Sequence, residues 1–354
     1  MKKFLRLILS LVKWAVIILV TIELLSFLFL TLGNLFIYGS VWEGSRVNYD
    51  AYTLFQEGPR PTANNPPAAA ASQNTRTIWM FGGSTMRGST NDNAKTIPSF
   101  LAGILNRNDK TQSFTVLNFG ENSFNSLLET KYLQKLLVEK PARPNLIIYM
   151  DGANECVYFS QNRNPYAHHG YQRVQALIES HRRSFYGLLK PLVAAVNASF
   201  TQEVYNKLRQ TVIPIGPDSE ELRNFVDLTA QRYDYVNQQA EFYGAQFLLF
   251  WQPILWVETC EVAPAVREKE KDYTINQASF LAVRQNFQVT YEALARRLRD
   301  KPYFVDFQNI LCSRTEQVYK HDGVHLHDAG RMIVAKEMSR VFQERKLLGE
   351  AAQD

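Results

Sequence analysis

The chemistry-bearing residues of this chain fall in four short blocks. The first is Phe81-Gly82-Gly83-Ser84-Thr85-Met86, in which a serine behind two glycines on a strand-to-helix turn presents its hydroxyl with little steric cover, as a nucleophile requires. It is not the G-x-S-x-G elbow, because Met86 stands where the second glycine belongs, and with no lysine after the glycines it is not a phosphate-binding loop. The second block, Asn118-Phe119-Gly120-Glu121-Asn122-Ser123, and the third, Asp151-Gly152-Ala153-Asn154-Glu155, offer exposed backbone N–H groups and, at Asn154, a side-chain amide suited to an oxyanion. Such residues are equally common in ordinary turns. The fourth block is His321-Asp322-Gly323-Val324-His325, where an Asp three residues ahead of a His in a turn can accept from one ring nitrogen while the other faces a serine.

These blocks need a scaffold that gathers them. Apolar strand-like runs at 77–81, 114–119, 145–150, 245–251 and 303–307 alternate with helix-like segments that start near Pro98 and cover 126–139, 219–243, 276–299 and 328–345. Continuous apolar strands separated by helices predict a parallel sheet of five strands covered on both faces. In such a sheet sites form beyond the carboxyl ends of the strands, where all four blocks fall. The alternation fails over 156–217, which predicts a helical insertion. Between Gln161 and Ile213 lie seven Lys/Arg and two Glu, a surplus equal to the net charge of +5 of the whole chain. That suits a solvated helical surface, or a cap facing an anionic glycan or anionic lipid headgroups.

Together the four blocks resemble the SGNH, or GDSL, hydrolase family over about residues 77–338. The resemblance implies a flavodoxin-like three-layer α/β/α domain, a nucleophile at Ser84 oriented by Asp322 and His325, and oxyanion donors at Ser84, Ser123 and Asn154, with Gly120 as an alternative donor. It implies no cofactor and no metal. Two positions depart from the family pattern: Gly83 replaces the Asp before the serine, and Ser123 replaces a Gly five residues after the block's Asn. The spelling GGST with DGANE is similar to membrane-anchored, extracytoplasmic members associated with bacterial surface polysaccharides.

At the N-terminus, residues 14–38 form an apolar run whose one ionisable side chain is Glu23. Twenty-five helical residues reach past the roughly 30 Å hydrocarbon core, so the run is expected to be a transmembrane anchor. It is longer than the apolar part of a cleaved signal peptide, and 36–40 makes a poor cleavage site. Lys2, Lys3, Arg6 and Lys13 before the run, against a mixed flank after it, predict a cytoplasmic N-terminus and a periplasmic domain. Glu23 is expected either to be neutral with no role or to contact another membrane helix. The resulting plan is a cytoplasmic segment 1–13, an anchor 14–38, a Pro/Ala/Asn-rich linker 39–74, and a hydrolase domain 75–354 carrying the insertion at 156–217.

Three cysteines in 354 residues exclude a disulfide framework, and no pair has metal-ligand spacing. Outside the cytoplasm a single bridge is chemically possible, and Cys260 and Cys312 both follow predicted strands at the site end of the sheet; buried free thiols are the alternative. The histidines 321, 325 and 327 with Asp322 and Asp328 offer a metal reading, which Gly323 and Val324 disfavour by breaking the helix it would need. No groove-reading motif for nucleic acid is present. The expected function is that of a membrane-anchored serine esterase or acyl-transfer enzyme acting on an extracytoplasmic acyl ester carried by a glycan or lipid, such as an O-acetyl group of a surface polysaccharide. The competing expectations are a non-catalytic glycan-binding scaffold and a lysophospholipase-like esterase.

Overall fold

Continuous apolar runs form the strands of one parallel sheet, and amphipathic segments between them form its covering helices. The computed structural model describes residues 2–38, 41, 48–67, 75–108, 113–140, 143–183, 195–196, 199–209, 213–260, 265–266, 268–269 and 281–347. The chain divides into two units, one of residues 47–169 and 212–354 and the other of 1–46 and 170–211.

The larger unit holds a hairpin, β1 (Asn48–Asp50) and β2 (Leu54–Gln56), and the main strands β3 (Thr75–Gly82), β4 (Ser113–Asn118), β5 (Leu146–Asp151), β6 (Gln246–Trp251) and β7 (Phe304–Asp306). The five-stranded sheet runs β4-β3-β5-β6-β7 with every pair parallel. Its helices are α2 (Ser84–Arg87), α3 (Ile97–Asn108), α4 (Ser126–Glu139) and α5 (Ala153–Asn162). Two helices of the other unit, α6 (Tyr171–Arg183) and α7 (Phe200–Arg209), follow, and α8 (Glu220–Phe242), α9 (Leu281–Leu298) and α10 (Asp328–Glu344) complete the sheet unit.

Alternation along β3 sorts the core into two layers. Ile78 and Met80 pack with Ile97 and Leu101 of α3 and Val334 and Met338 of α10; Trp79 and Phe81 pack with Leu128 and Tyr132 of α4 and Tyr233 of α8. All six residues of β5 are buried, as a central strand covered on both faces must be. Because the chain leaves β3 first for one neighbour, β4, and then for the other, β5, the crevice at the carboxyl ends of β3 and β5 is a topological switch point.

The domain plan needs two corrections. Residues 48–67 are not linker but part of the sheet unit: Lys135 pairs with Asp50, the Glu57 and Gly58 N–H groups donate to Glu121, Arg60 donates to the Gly88 and Thr90 carbonyls, and Asn65 bonds both ways with Val116. Three-residue strands and side-chain hooks leave no periodic pattern, so composition alone reads the segment as spacer. The insertion is narrower than 156–217, because α5 packs Cys156 and Phe159 into the sheet core and Ile215 joins the same cluster.

The smaller unit contains α1 (Lys2–Tyr38), α6 and α7. Residues Lys3–Leu35 of α1 have mean hydropathy 2.6 and are long and apolar enough to cross a membrane, and its apolar side chains from Phe4 to Leu35 are largely exposed. The Glu23 carboxylate accepts from the Phe200 N–H at 2.6 Å, the Thr201 N–H at 3.0 Å and the Thr201 hydroxyl at 2.6 Å. Its contact is therefore a helix start of the same chain.

Candidate active site

The Ser84 turn is built by close approach. Gly82 has φ 152°, and a Cβ there would meet the Met86 Cβ at 2.7 Å and the Met150 carbonyl at 2.9 Å. A Cβ on Gly83 would overlap the Asn154 amide nitrogen and reach the Phe124 carbonyl at 3.2 Å. Glycine at 83 thus lets the third block close onto the first. Ser84 opens α2 at the end of β3, half-buried, with Thr85 and Met86 buried behind it.

Ser84 Oγ lies 2.7 Å from His325 Nε2, and His325 Nδ1 bonds Asp322 Oδ2. Asp322 Oδ1 accepts the Val324 and His325 N–H groups, each at 2.9 Å, so the Asp folds its own turn about itself. Burial pushes its carboxyl up, but the hydrogen bond and charge of His325 and the two backbone donors outweigh this and hold it at about 2. An ionised carboxylate only accepts, so Nδ1 carries the proton and Nε2 is left to accept from the Ser84 hydroxyl. With both ring nitrogens engaged, His325 has none for a metal. The turn is itself pinned: Lys320 N–H to the His325 carbonyl at 2.8 Å, His327 N–H to the Val318 carbonyl at 2.8 Å, and Leu255 N–H to the Gly323 carbonyl at 2.9 Å.

The oxyanion candidates separate. Ser123 adopts φ 63°, the left-handed backbone that a glycine would adopt freely, and the Tyr158 hydroxyl holds it there by donating to the Ser123 carbonyl at 3.1 Å. Among the described residues nothing accepts from the Ser123 N–H. Asn154 Nδ2 donates one hydrogen to the Phe124 carbonyl at 2.5 Å, which fixes the amide plane and leaves its second hydrogen. The Gly120 N–H is engaged, donating to Asn118 Oδ1 at 3.0 Å, and a Cβ at this position would meet the Arg87 N at 2.5 Å.

Sequence reasoning missed several supporting residues. Glu155 accepts the Ser126 N–H at 2.6 Å and the Gly152 N–H at 2.9 Å, tying the starts of α4 and α5 beneath Asn154. Beside it lie two buried carboxyls: burial and the nearby Glu155 push Asp151 well up against the lowering hydrogen bonds of Glu129 and Tyr233, and burial with the nearby Asp151 and Glu155 pushes Glu129 well up; Asp151 accepts from the Tyr233 hydroxyl at 2.9 Å. Gln252, buried just after β6, donates to the Thr85 hydroxyl at 3.1 Å and faces the Val324 carbonyl at 3.5 Å, linking the serine turn to the His turn. Its place directly after a strand was the available signal. Cys260 and Cys312 form a disulfide, with Cα atoms 5.7 Å apart, that joins the loops after β6 and β7. Cys156 is buried and free. His327 caps α10, and His321 is exposed.

No family model matches the chain, and no curated protein matches it in sequence. Solved structures similar to it include an acetylxylan esterase from Geobacillus stearothermophilus (13% identity, 79% of this chain and 96% of that one, TM-score 0.42). Others are TesA (14%, 76% and 99%, TM-score 0.39) and a lipolytic protein of the G-D-S-L family from Desulfitobacterium hafniense (12%, 75% and 98%, TM-score 0.39). At that distance the activity of this chain has to be argued from its own side chains.

Proposed function

We propose that this chain is a membrane-anchored serine esterase or acyl-transfer enzyme, with Ser84 as nucleophile, His325 as general base and acid, and Asp322 as the group that orients His325. The observation that carries the reading is the continuous relay from the Ser84 hydroxyl through His325 to a carboxylate held ionised. Ser84 Oγ attacks the acyl carbonyl while His325 Nε2 takes its proton. The carbonyl oxygen becomes an oxyanion met by the Ser84 and Ser123 N–H groups and the second Asn154 hydrogen. His325 then returns the proton to the leaving alcohol, and the acyl group stays on Ser84. Water, or a sugar hydroxyl in a transfer reaction, resolves the ester with His325 again as base.

The proposed substrate is an O-acetyl group on a surface polysaccharide, met outside the cytoplasm. Cations at residues 2, 3, 6 and 13 before the apolar helix support that orientation, and α1 supports retention at the membrane. An active-site serine probe should label the full-length protein, and the label should vanish in Ser84→Ala; labelling that persists overturns the serine reading. Release of acetate from O-acetylated polysaccharide tests the carrier. Protease added to intact spheroplasts should degrade the domain, and its protection would overturn the orientation.

A further inference from the structure

Glu23 is a carboxylate in the middle of an apolar helix, and no step of the acyl chemistry uses it. At about 1.5 Å per residue it lies roughly 14 Å along the helix from Trp14 and roughly 22 Å from Tyr38, inside the hydrocarbon if α1 spans. A carboxylate is costly there unless partnered. Its partners are the first two backbone N–H groups of α7 and the Thr201 hydroxyl, between 2.6 and 3.0 Å. A helix start presents unsatisfied N–H donors and the positive end of its dipole, so each group answers the other's need. The contact continues along α1, where Ser26 Oγ is 3.3 Å from Thr201 Oγ1 and the Phe27 and Phe200 rings are 5.1 Å apart.

Groups within 3 Å of Glu23 share its depth. We infer that the start of α7, docked on the anchor through Glu23, is a second membrane-inserted element, with the lipid bilayer as its partner. The sequence agrees. The sixteen residues 184–199 carry a single charge, Lys190, while Arg182 and Arg183 precede them and Lys207 and Arg209 follow within α7. An apolar stretch flanked by cations suits acyl chains bordered by headgroup phosphates. A helix start within a membrane is tolerated where protein satisfies its polar groups, which Glu23 does for α7.

This inference rests on α1 being the anchor, and the experiment separates the two. Full-length protein carrying Cys156→Ser is reconstituted in phosphatidylcholine/phosphatidylglycerol vesicles, with an environment-sensitive fluorophore on Leu19→Cys or on Phe200→Cys. Both positions should be quenched several-fold more by lipids brominated at mid-chain than by aqueous iodide. If Leu19→Cys follows the lipid and Phe200→Cys follows iodide, the anchor stands and this inference falls. If Leu19→Cys also follows iodide, both fall. In the same vesicles Ser26→Cys with Thr201→Cys should crosslink under mild oxidation, and Glu23→Leu should remove most of the crosslink while Glu23→Gln keeps more of it. A folded double variant that does not crosslink overturns the docking.

Discussion

Two carboxylates of the sheet unit, the half-buried Asp322 and the buried Glu121, have nearly the same inventory of partners and opposite electrostatics. Each accepts two backbone N–H groups and faces a base: Val324, His325 and the His325 ring for Asp322; Glu57, Gly58 and Arg87 for Glu121. Asp322 is held at about 2, whereas burial pushes Glu121 up to about 7 against the opposing pull of Arg87 and its backbone donors. Arg87 is shared, 2.9 Å from Glu57 and 3.4 Å from Glu121, and the Glu57 charge itself raises Glu121. The Asp322 side chain also keeps 21% exposure against 1% for Glu121. A buried carboxylate stays charged when it has a dedicated base and some water, and a shared base with none is not enough.

The comparison is broken most severely at the Ser84–His325–Asp322 relay. Ser84→Ala and His325→Ala should abolish nearly all turnover of p-nitrophenyl acetate, and Asp322→Asn, which removes the charge that sets the tautomer, should lower kcat by roughly 10³–10⁴. Comparable damage from His327→Ala, or loss of activity to a chelator, would defeat the serine mechanism. Asn154→Ala should cost roughly 10²–10³ in kcat with little change in KM, since its spare hydrogen serves only the developing oxyanion.

Stability sharpens the contrast next, through chemical denaturation across a pH series. Glu121 binds its proton more tightly folded than unfolded, so its contribution is full below about pH 4.5 and is lost as pH rises to about 7, by about 3 kcal/mol for a shift of that size. Asp322 has the opposite sign: its contribution is present above about pH 4 and is lost as pH falls toward 2. Glu121→Gln should flatten the dependence between 4.5 and 7 and leave the acid limb intact; an unchanged slope would refute this assignment. The smallest effect is expected at Gln252→Ala, about tenfold in kcat, because it holds the serine and His turns together without touching substrate.

The sequence by itself determined the scaffold and marked the residues proposed to act. Five apolar runs and their intervening helices follow from periodicity, which reports burial directly, and α4 begins and ends at the residues the pattern marks. Ser84, Asn154, Asp322 and His325 stand out because short turns of Gly, Asn and Asp after strands are compact in sequence. What only the tertiary structure decided has partners far apart along the chain. The hooks of 48–67 onto Glu121 and β4, the Gln252 bridge, the disulfide between loops 52 residues apart and the seating of α7 on Glu23 all depend on side chains meeting across elements. No periodicity records such meetings. The same holds for the fate of each carboxylate: Asp322 and Glu121 look alike as letters, and it is the water and the undivided base left to each by packing that sets one at about 2 and the other at about 7.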